Sequence, residues 1–170
     1  MYMENIANGV ERVFYYNQAD PWRFRQFAKP RVLKGAPLGT RMWDEGRALK
    51  PIAAAHAALA YAIEGKRYTS RVSSGRRHAF IFEGKSAAAA VHCATFKRFS
   101  RQETIRLPLP RGVRATDLTV IDFMGNESRP RAKEGAVVLP ISCEPVYLIC
   151  RAKNAAAVLR AMYRAGLRAD

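Results

Sequence analysis

The chain has 170 residues, which is enough for one domain or for one domain and part of another. Hydrophobic residues make up 49% of it, so a buried core can form and wholesale disorder is excluded. No apolar run reaches the roughly 18–20 residues of a membrane-spanning helix, and no secretory signal is visible, although the amino terminus looks truncated and the compartment stays open.

The net charge of +15 predicts attraction to polyanions such as nucleic acid, acidic polysaccharide or an anionic membrane. The basic residues are mostly arginines and are spread along the chain. Denser patches lie at Arg71–Arg77, Lys97–Arg101 and Arg129–Lys133, but none of them carries a nucleic-acid-binding motif. A solvated basic surface is therefore the simpler interpretation, and polyanion binding is the alternative.

The cysteines and histidines show no metal-ligand spacing and no Cys-x-x-Cys pair. Strand-like neighbours favour buried free thiols over a disulfide or a reactive thiol for Cys93, Cys143 and Cys150. His92 and Cys93 are consecutive in a predicted strand, so their side chains should point to opposite faces. We expect no metal site and no cofactor.

The first part of the chain predicts a short helix, a turn at Asn8-Gly9 and an apolar strand over Val13–Tyr16. A long loop follows, and loops of this length are usually functional or belong to a larger context. The clearest helix is predicted over Leu49–Glu64, with Gly65 as its stop. Its apolar face combines these residues at helical spacing: Ile52, Ala55, Leu59, Ala62 and Ile63.

After Lys66 the hydrophobic period changes to two, which favours an antiparallel sandwich of short strands. Seven strands are predicted: Tyr68–Ser73, Arg77–Phe82, Ala87–Cys93, Glu103–Leu107, Leu118–Asp122, Ala136–Pro140 and Val146–Cys150. The segment "RHAFIFEGKSAAAAVHC" has the form of a hairpin, and "LTVIDFMGNESRPRAKEGAVVLPI" has the form of a second, looser one.

The tail, "NAAAVLRAMYRAGLRAD", predicts a helix capped by Asn154. Its apolar stripe consists of Ala155, Leu159, Met162 and Tyr163, and another side carries Arg160, Arg164 and Arg168. Docking of this stripe on the body of the protein is the simpler hypothesis. A helix that binds a membrane surface or a partner is the alternative.

Several segments stand in a diagnostic order: "IANGVERVFYYN", "MWDEGRALKPIAAAHAALAYAIEGKRY", "AFIFEGKSAAAAVHC" and "VIDFMGNESRP…GAVVLPISCEPVYLIC". Together they resemble the carboxy-terminal part of a clan A type glycoside hydrolase, in which a β-sandwich follows a (β/α)8 barrel. The first two segments are similar to the last βα unit of the barrel, and the others to strands of the sandwich. The resemblance runs from about residue 5 to residue 151.

The resemblance implies a mainly β fold with three parts. A remnant of the last barrel unit, with its long loop, would occupy residues 1–66, the antiparallel β-sandwich residues 67–152, and an amphipathic helix residues 153–170.

A retaining glycosidase needs two carboxyl groups about 5–5.5 Å apart. The resemblance implies that these are glutamates on barrel strands four and seven, which precede this chain, so Glu4 and Glu11 are not candidates. The consecutive pair Asp44 and Glu45 is interpreted as the start of the following helix. We therefore expect no catalytic residue and no activity from the chain alone. A hydrolase that uses Asp44 or Glu45 is a further alternative.

The stretch from Asp122 to Asn126 interrupts an apolar run and raises the question of a binding site. A hairpin turn is the simpler interpretation, because Gly125 can adopt a positive φ and Asp122 and Asn126 can bond the local backbone. A calcium or ligand site is disfavoured, since the turn holds a single carboxylate.

The resulting hypothesis is a non-catalytic fragment that stabilises a barrel and borders its carbohydrate cleft. The aromatic residues predicted to contact sugar are Tyr15, Tyr16, Trp22 and Trp43, because they lie at or after the predicted barrel strand's carboxyl end. The expected partners are a carbohydrate and the missing barrel portion, or a second copy joined through the exposed strand. A stand-alone basic sandwich that binds acidic polysaccharide or nucleic acid is the alternative.

Overall fold

The computed structural model describes residues 2–10, 51–93 and 102–168. Three helices lie in this part of the chain: α1 (Tyr2–Ala7), α2 (Pro51–Ile63) and α3 (Ala155–Gly166). A 3-10 turn spans Ala115–Asp117. The strands are β1 (Arg67–Ser74), β2 (Arg77–Glu83), β3 (Ala87–Cys93), β4 (Glu103–Pro108), β5 (Leu118–Ile121), β6 (Glu127–Ser128), β7 (Ala132–Lys133), β8 (Ala136–Ile141) and β9 (Val146–Cys150).

The strands form two antiparallel sheets. The larger sheet has the order β1-β2-β3-β9-β5-β6, and the smaller has the order β4-β8-β7. The predicted mainly β, sandwich-like fold is therefore confirmed. All seven strands predicted after Lys66 are present with ends that differ by one residue at most, and the two described strands that the sequence pattern missed, β6 and β7, have two residues each.

The larger sheet is buried on both faces. Its inner face, which carries Ile81, Ala89 and Leu148, packs against the smaller sheet and α3. Its opposite face, called the helix face below, carries Phe80 and other residues that pack against α1 and α2. An alternating pattern of apolar residues predicts a strand with one buried face. In the larger sheet, by contrast, successive residues are buried on alternate faces.

The second layer of the sandwich is completed by α3. The smaller sheet has only three strands, and α3 contacts β4 at its edge as well as β1, β2, β3 and β9 of the larger sheet. A side chain at Gly166 would collide with the carbonyl oxygen of Arg106, so glycine is required for this close approach. The predicted docking of the tail helix on the body of the protein is confirmed.

The amino-terminal end of α3 differs from its prediction. Asn154 occupies the cap position, but it has a left-handed backbone with φ 56° and makes no side-chain capping hydrogen bond. Its backbone oxygen accepts the hydrogen bond from the amide of Val158 instead, at 3.0 Å. Asparagine is tolerated here because it enters the left-handed region more readily than most residues. The side-chain cap was therefore a wrong prediction.

On the helix face, α2 is buried through Ala58 and Ala62, while Leu59 and Ile63 are half-buried. The predicted apolar face is thus rotated slightly, since Ala58 is its buried centre and Ala55 is only half-buried. Met3 of α1 joins the same cluster. The predicted turn after α1 is confirmed by Gly9, which has φ 81°.

The second predicted hairpin is wrong. Strand β5 pairs with β9 and with β6, whereas β8 pairs with β4 and β7 in the other sheet. The connection between β5 and β8 is too long to set a register by itself, because tight hairpins have loops of about two to five residues. The chain therefore crosses from one sheet to the other.

The predicted buried thiols are confirmed for Cys93 and Cys150, which are free and lie in the inner core, while Cys143 is half-buried. Burial raises the pKa of both core thiols, and the charge of Glu103 adds to the effect at Cys93. They are therefore held as unreactive thiols at neutral pH. None of the helices in residues 2–10, 51–93 and 102–168 combines the length and hydrophobicity that crossing a membrane requires.

Within the described residues, two buried side-chain oxygens lack a hydrogen-bond partner: those of Ser70 and Tyr163. Tyr163 belongs to α3 and is fully buried in the inner core. A buried hydroxyl without a partner carries its desolvation cost uncompensated. We therefore predict that Tyr163→Phe raises the free energy of unfolding at pH 7 by about 1 kcal/mol. Chemical denaturation measures this change in the free energy of unfolding.

The same substitution has an alkaline signature. Burial raises the pKa of Tyr163 far above its ordinary value and that of Tyr147 to about 12, so each tyrosine binds its proton more tightly in the folded state. The stabilisation that comes from this tighter proton binding is complete below pH 10. Above pH 10 each tyrosine loses about 1.4 kcal/mol of it for every pH unit. Tyr163→Phe should lessen this loss. Tyr147→Phe is the matched control and should bring no gain at pH 7; a Tyr163→Phe variant less stable than wild type at pH 7 would refute the prediction.

Candidate functional site

The aromatic residues predicted to contact carbohydrate lie outside the described residues: Tyr15, Tyr16, Trp22 and Trp43. The strand predicted over Val13–Tyr16 and the pair Asp44 and Glu45 lie outside them as well. Their roles stay predictions.

The turn from Asp122 to Asn126 has the predicted hairpin form and joins β5 to β6. One carboxylate oxygen of Asp122 accepts hydrogen bonds from the amides of Met124 and Asn126, both at 2.9 Å, and the other accepts one from Asn126 Nδ2 at 2.8 Å. Gly125 has φ 91°, the conformation that favours glycine. The polar groups of the turn thus bond one another.

The electrostatics of Asp122 agree with this structural role. Partial burial raises the pKa of its carboxyl, but hydrogen bonds from Asn126, Met124 and Gly125 outweigh that effect and hold the pKa below the ordinary 3.8. The carboxylate is therefore ionised at neutral pH and engaged within the turn. In the part of the chain that the structure describes, no group of three or more His, Cys, Asp or Glu side chains could hold a metal ion.

A polar cleft opens on the helix face where α2 ends. Its volume is about 240 Å³. The end of α2 and the residues after it contribute Tyr61, Glu64 and Lys66, and the sheet contributes Glu127 and Arg151. Ile121 and Ile149 also line it, with the hydroxyls of Ser86 and Thr119. These residues are called the Tyr61 cleft below.

Strand pairing explains why residues from distant parts of the chain meet in this cleft. Glu127 stands opposite Ile121 across the β5–β6 pair, and Thr119 stands opposite Ile149 across the β5–β9 pair. Opposite residues share a face, as do residues two apart in a strand, so Arg151 follows Ile149 onto the helix face. Helix α2, strands β5 and β6 and the segments that flank α2, β3 and β9 therefore direct polar side chains to one place.

The charges of the Tyr61 cleft balance without direct pairing. Its two carboxylates, on Glu64 and Glu127, face two cations, on Lys66 and Arg151. Among the described residues neither cation forms a salt bridge; Lys66 Nζ only donates a long 3.4 Å hydrogen bond to the backbone oxygen of Glu64. Burial lowers the pKa of Lys66. The neighbouring carboxylate of Glu127 raises the pKa of Tyr61.

No pattern in the sequence predicts this cleft. Tyr61 was the available signal, because it is the one aromatic residue in the otherwise alanine-rich α2 and its side chain is 56% exposed. Glu127 and Arg151 gave no signal, since only the pairing of β5 with both β6 and β9 brings them together.

Two other features have structural explanations. A second cleft of about 300 Å³ lies between the sheets, and Val120, Val138 and Val146 line its apolar part. On the helix face His92 stacks on Phe80 at 5.9 Å between ring centroids and lies 5.7 Å from His78. His92 and Cys93 therefore point to opposite faces, as predicted.

The fold defines a class: an antiparallel sandwich with helices on the outer face of its larger sheet. A scan of protein-family models and a search of curated proteins found no match. Among solved structures, the chain is similar to a family 39 glycoside hydrolase from the gut symbiont Bacteroides cellulosilyticus WH2, with a TM-score of 0.54 and 21% identity. The match covers 65% of this chain and only 22% of that chain. It supports a glycoside-hydrolase-like, β-rich fold.

We predict that Asp122→Ala lowers the free energy of unfolding at pH 7 by about 1 kcal/mol, because it removes three hydrogen bonds that close an exposed turn. The folded-state pKa of Asp122 is lowered, so its contribution is present above pH 3.8 and is lost as the pH falls through the folded-state value. Denaturation at pH 7 and at pH 2.5 should therefore show a smaller difference from wild type at the lower pH. Equal differences at both values would contradict the prediction. Glu144→Gln is the control.

Proposed function

We propose that this chain is the non-catalytic carboxy-terminal part of a glycoside hydrolase-like protein. In this role it closes and stabilises a (β/α)8 barrel and borders the barrel's carbohydrate cleft. The observation that carries the proposal is the surface of α2, and the similarity to a family 39 glycoside hydrolase supports it.

Helix α2, with the sequence PIAAAHAALAYAI, is apolar on nearly every side. One side is buried on the larger sheet through Ala58 and Ala62, while Ala57 and Ala60 on the other side are exposed. A helix that is apolar all round is typical of burial between two partners. The small exposed residues permit close approach of a second layer, and the last helix of a barrel would have such a layer beside it.

The extent of the structural match supports the same assignment. The alignment covers most of this chain but about a fifth of the matched glycoside hydrolase chain. A unit of this size is too small to contain a complete barrel, which takes about 250 residues. Residues 1–66 would supply the last barrel unit, residues 67–152 the sandwich and residues 153–170 the helix that completes the second layer.

Carbohydrate contact is proposed for Tyr15, Tyr16, Trp22 and Trp43. Aromatic faces are electron-rich and attract the polarised C–H groups of sugar rings. The loops at the carboxyl ends of barrel strands form the active site in such folds, which suits residues that follow the predicted strand.

We predict that the purified chain binds neutral oligosaccharides without hydrolysing them, and that Trp43→Ala weakens this binding about tenfold because a stacking surface is lost. Calorimetry with neutral and acidic oligosaccharides measures the affinity. Trp43→Phe is the matched control, since it keeps an aromatic face, and should bind nearly as wild type.

Release of a reducing end, or of nitrophenol from aryl glycosides, measures hydrolysis in parallel. Turnover by wild type that Asp44→Asn or Glu45→Gln abolishes would replace the proposal with an active hydrolase. Absence of oligosaccharide binding by wild type and by Trp43→Ala alike would leave only the structural role in the barrel.

A second candidate function, binding of a polyanion, is favoured by the outer surface of α3. Arg160 and Arg164 are four residues apart, which aligns them along one side of α3, and Arg168 follows two residues after the helix ends. Within the described residues, none of the three forms a salt bridge. A row of cations without acidic partners attracts a linear polyanion.

We predict that replacing all three arginines of this row by glutamine lowers the salt concentration at which the chain leaves a heparin column. The slope of log affinity against log salt for duplex DNA should fall by about 0.9 for each lost phosphate contact. The control removes three exposed arginines elsewhere: Arg67, Arg76 and Arg111. An equal effect of both triple variants would show that overall charge, not the row on α3, determines retention.

A further inference from the structure

We propose that the Tyr61 cleft binds one neutral sugar unit, a pyranose, as a subsite of the sandwich. The inference rests on the proposed function, and it adds a site formed by other residues than the predicted aromatic ones. Size, hydrogen-bonding groups and apolar surface lead to the same ligand class.

The size of the cleft sets the first limit. Pockets for drug-sized ligands have volumes of about 300–1,000 Å³. The Tyr61 cleft has about 240 Å³ and is open to solvent on one side. A single pyranose ring fits this space, and the open side allows the ring to belong to a longer chain.

The polar groups of the cleft match vicinal hydroxyls. The carboxylate of Glu127 accepts hydrogen bonds, while the cations of Lys66 and Arg151 donate them. A sugar hydroxyl does both, so adjacent hydroxyls on a ring can bridge a carboxylate and a cation. Charge-assisted hydrogen bonds of this kind are the stronger ones.

The charge balance selects against an ionic ligand. Two carboxylates and two cations line the cleft, so a uronic acid or an amino sugar would meet one repelling pair. The absence of a salt bridge to Lys66 or Arg151 among the described residues leaves these groups with hydrogen-bonding capacity to spare. A neutral polyol uses both sets of groups.

Apolar surface is also available. The Tyr61 side chain is 56% exposed and borders the cleft, and Ile121 and Ile149 also line it. A pyranose has apolar patches of C–H groups beside its hydroxyl edge, which suit an aromatic ring and an aliphatic surface. An exposed aromatic side chain next to two carboxylates and two cations thus fits a sugar better than a purely polar solute.

The test follows amide resonances of the ¹⁵N-labelled full chain during addition of methyl β-xylopyranoside, methyl β-glucopyranoside and methyl β-glucuronide. A ligand of so few atoms should have a dissociation constant on the order of 1–10 mM. We expect the neutral glycosides to shift resonances around the cleft and the glucuronide to bind at least about fivefold more weakly. Glu127→Gln and Tyr61→Ala should each weaken binding about tenfold.

The control is Glu144→Gln, which removes a carboxylate near the opposite end of β9 and should leave the affinity unchanged. Tyr61→Ala places a strong helix former at an exposed position, so the variant should fold. No shift with 50 mM of any probe, or binding that Glu127→Gln and Tyr61→Ala leave intact, would overturn the inference. Trp43→Ala separates the two sites, because it should reduce oligosaccharide binding and spare the monosaccharides.

Discussion

The structure depends on the burial of both faces of one sheet. At its centre the small side chain of Ala90 lies between Phe80 and Tyr147 on the helix face, and Ala89 lies between Ile81 and Leu148 on the inner face. Large side chains on β2 and β9 thus fill the space that the alanines of β3 leave open. Close packing of this kind excludes voids on both sides of a thin strand, and core packing is sensitive to single methylene groups.

Because both faces of the larger sheet are buried, each face needs a covering layer. The inner face needs more cover than three strands provide, and α3 supplies it beside β4, where Gly166 permits backbone contact. The helix face is covered by α1 and by the alanine side of α2. One side of α2 packs on the larger sheet, and the opposite side of the helix is apolar as well. That opposite side is available to a further layer, which is the basis of the proposed barrel contact.

The Tyr61 cleft arises at the margin of this packing. Where α2 ends, the helix face is left uncovered, and Thr119 of β5 and Glu127 of β6 lie there beside the apolar Ile121 and Ile149. The turn at Asp122, by contrast, uses its polar groups internally, and it ends β5 without forming a binding site.

Among the residues that the structure describes, the sequence alone determined every strand longer than two residues, the helices α2 and α3, the thiols of the core and the turn at Gly125. These features depend on local periodicity and on backbone preferences of single residues, which are encoded within a few positions. Tertiary structure decided the partner of β8, the left-handed backbone of Asn154 and the meeting of Tyr61 with Glu127. The first and the last depend on contacts between segments far apart in the chain, because strand order sets which faces meet and no local pattern specifies strand order.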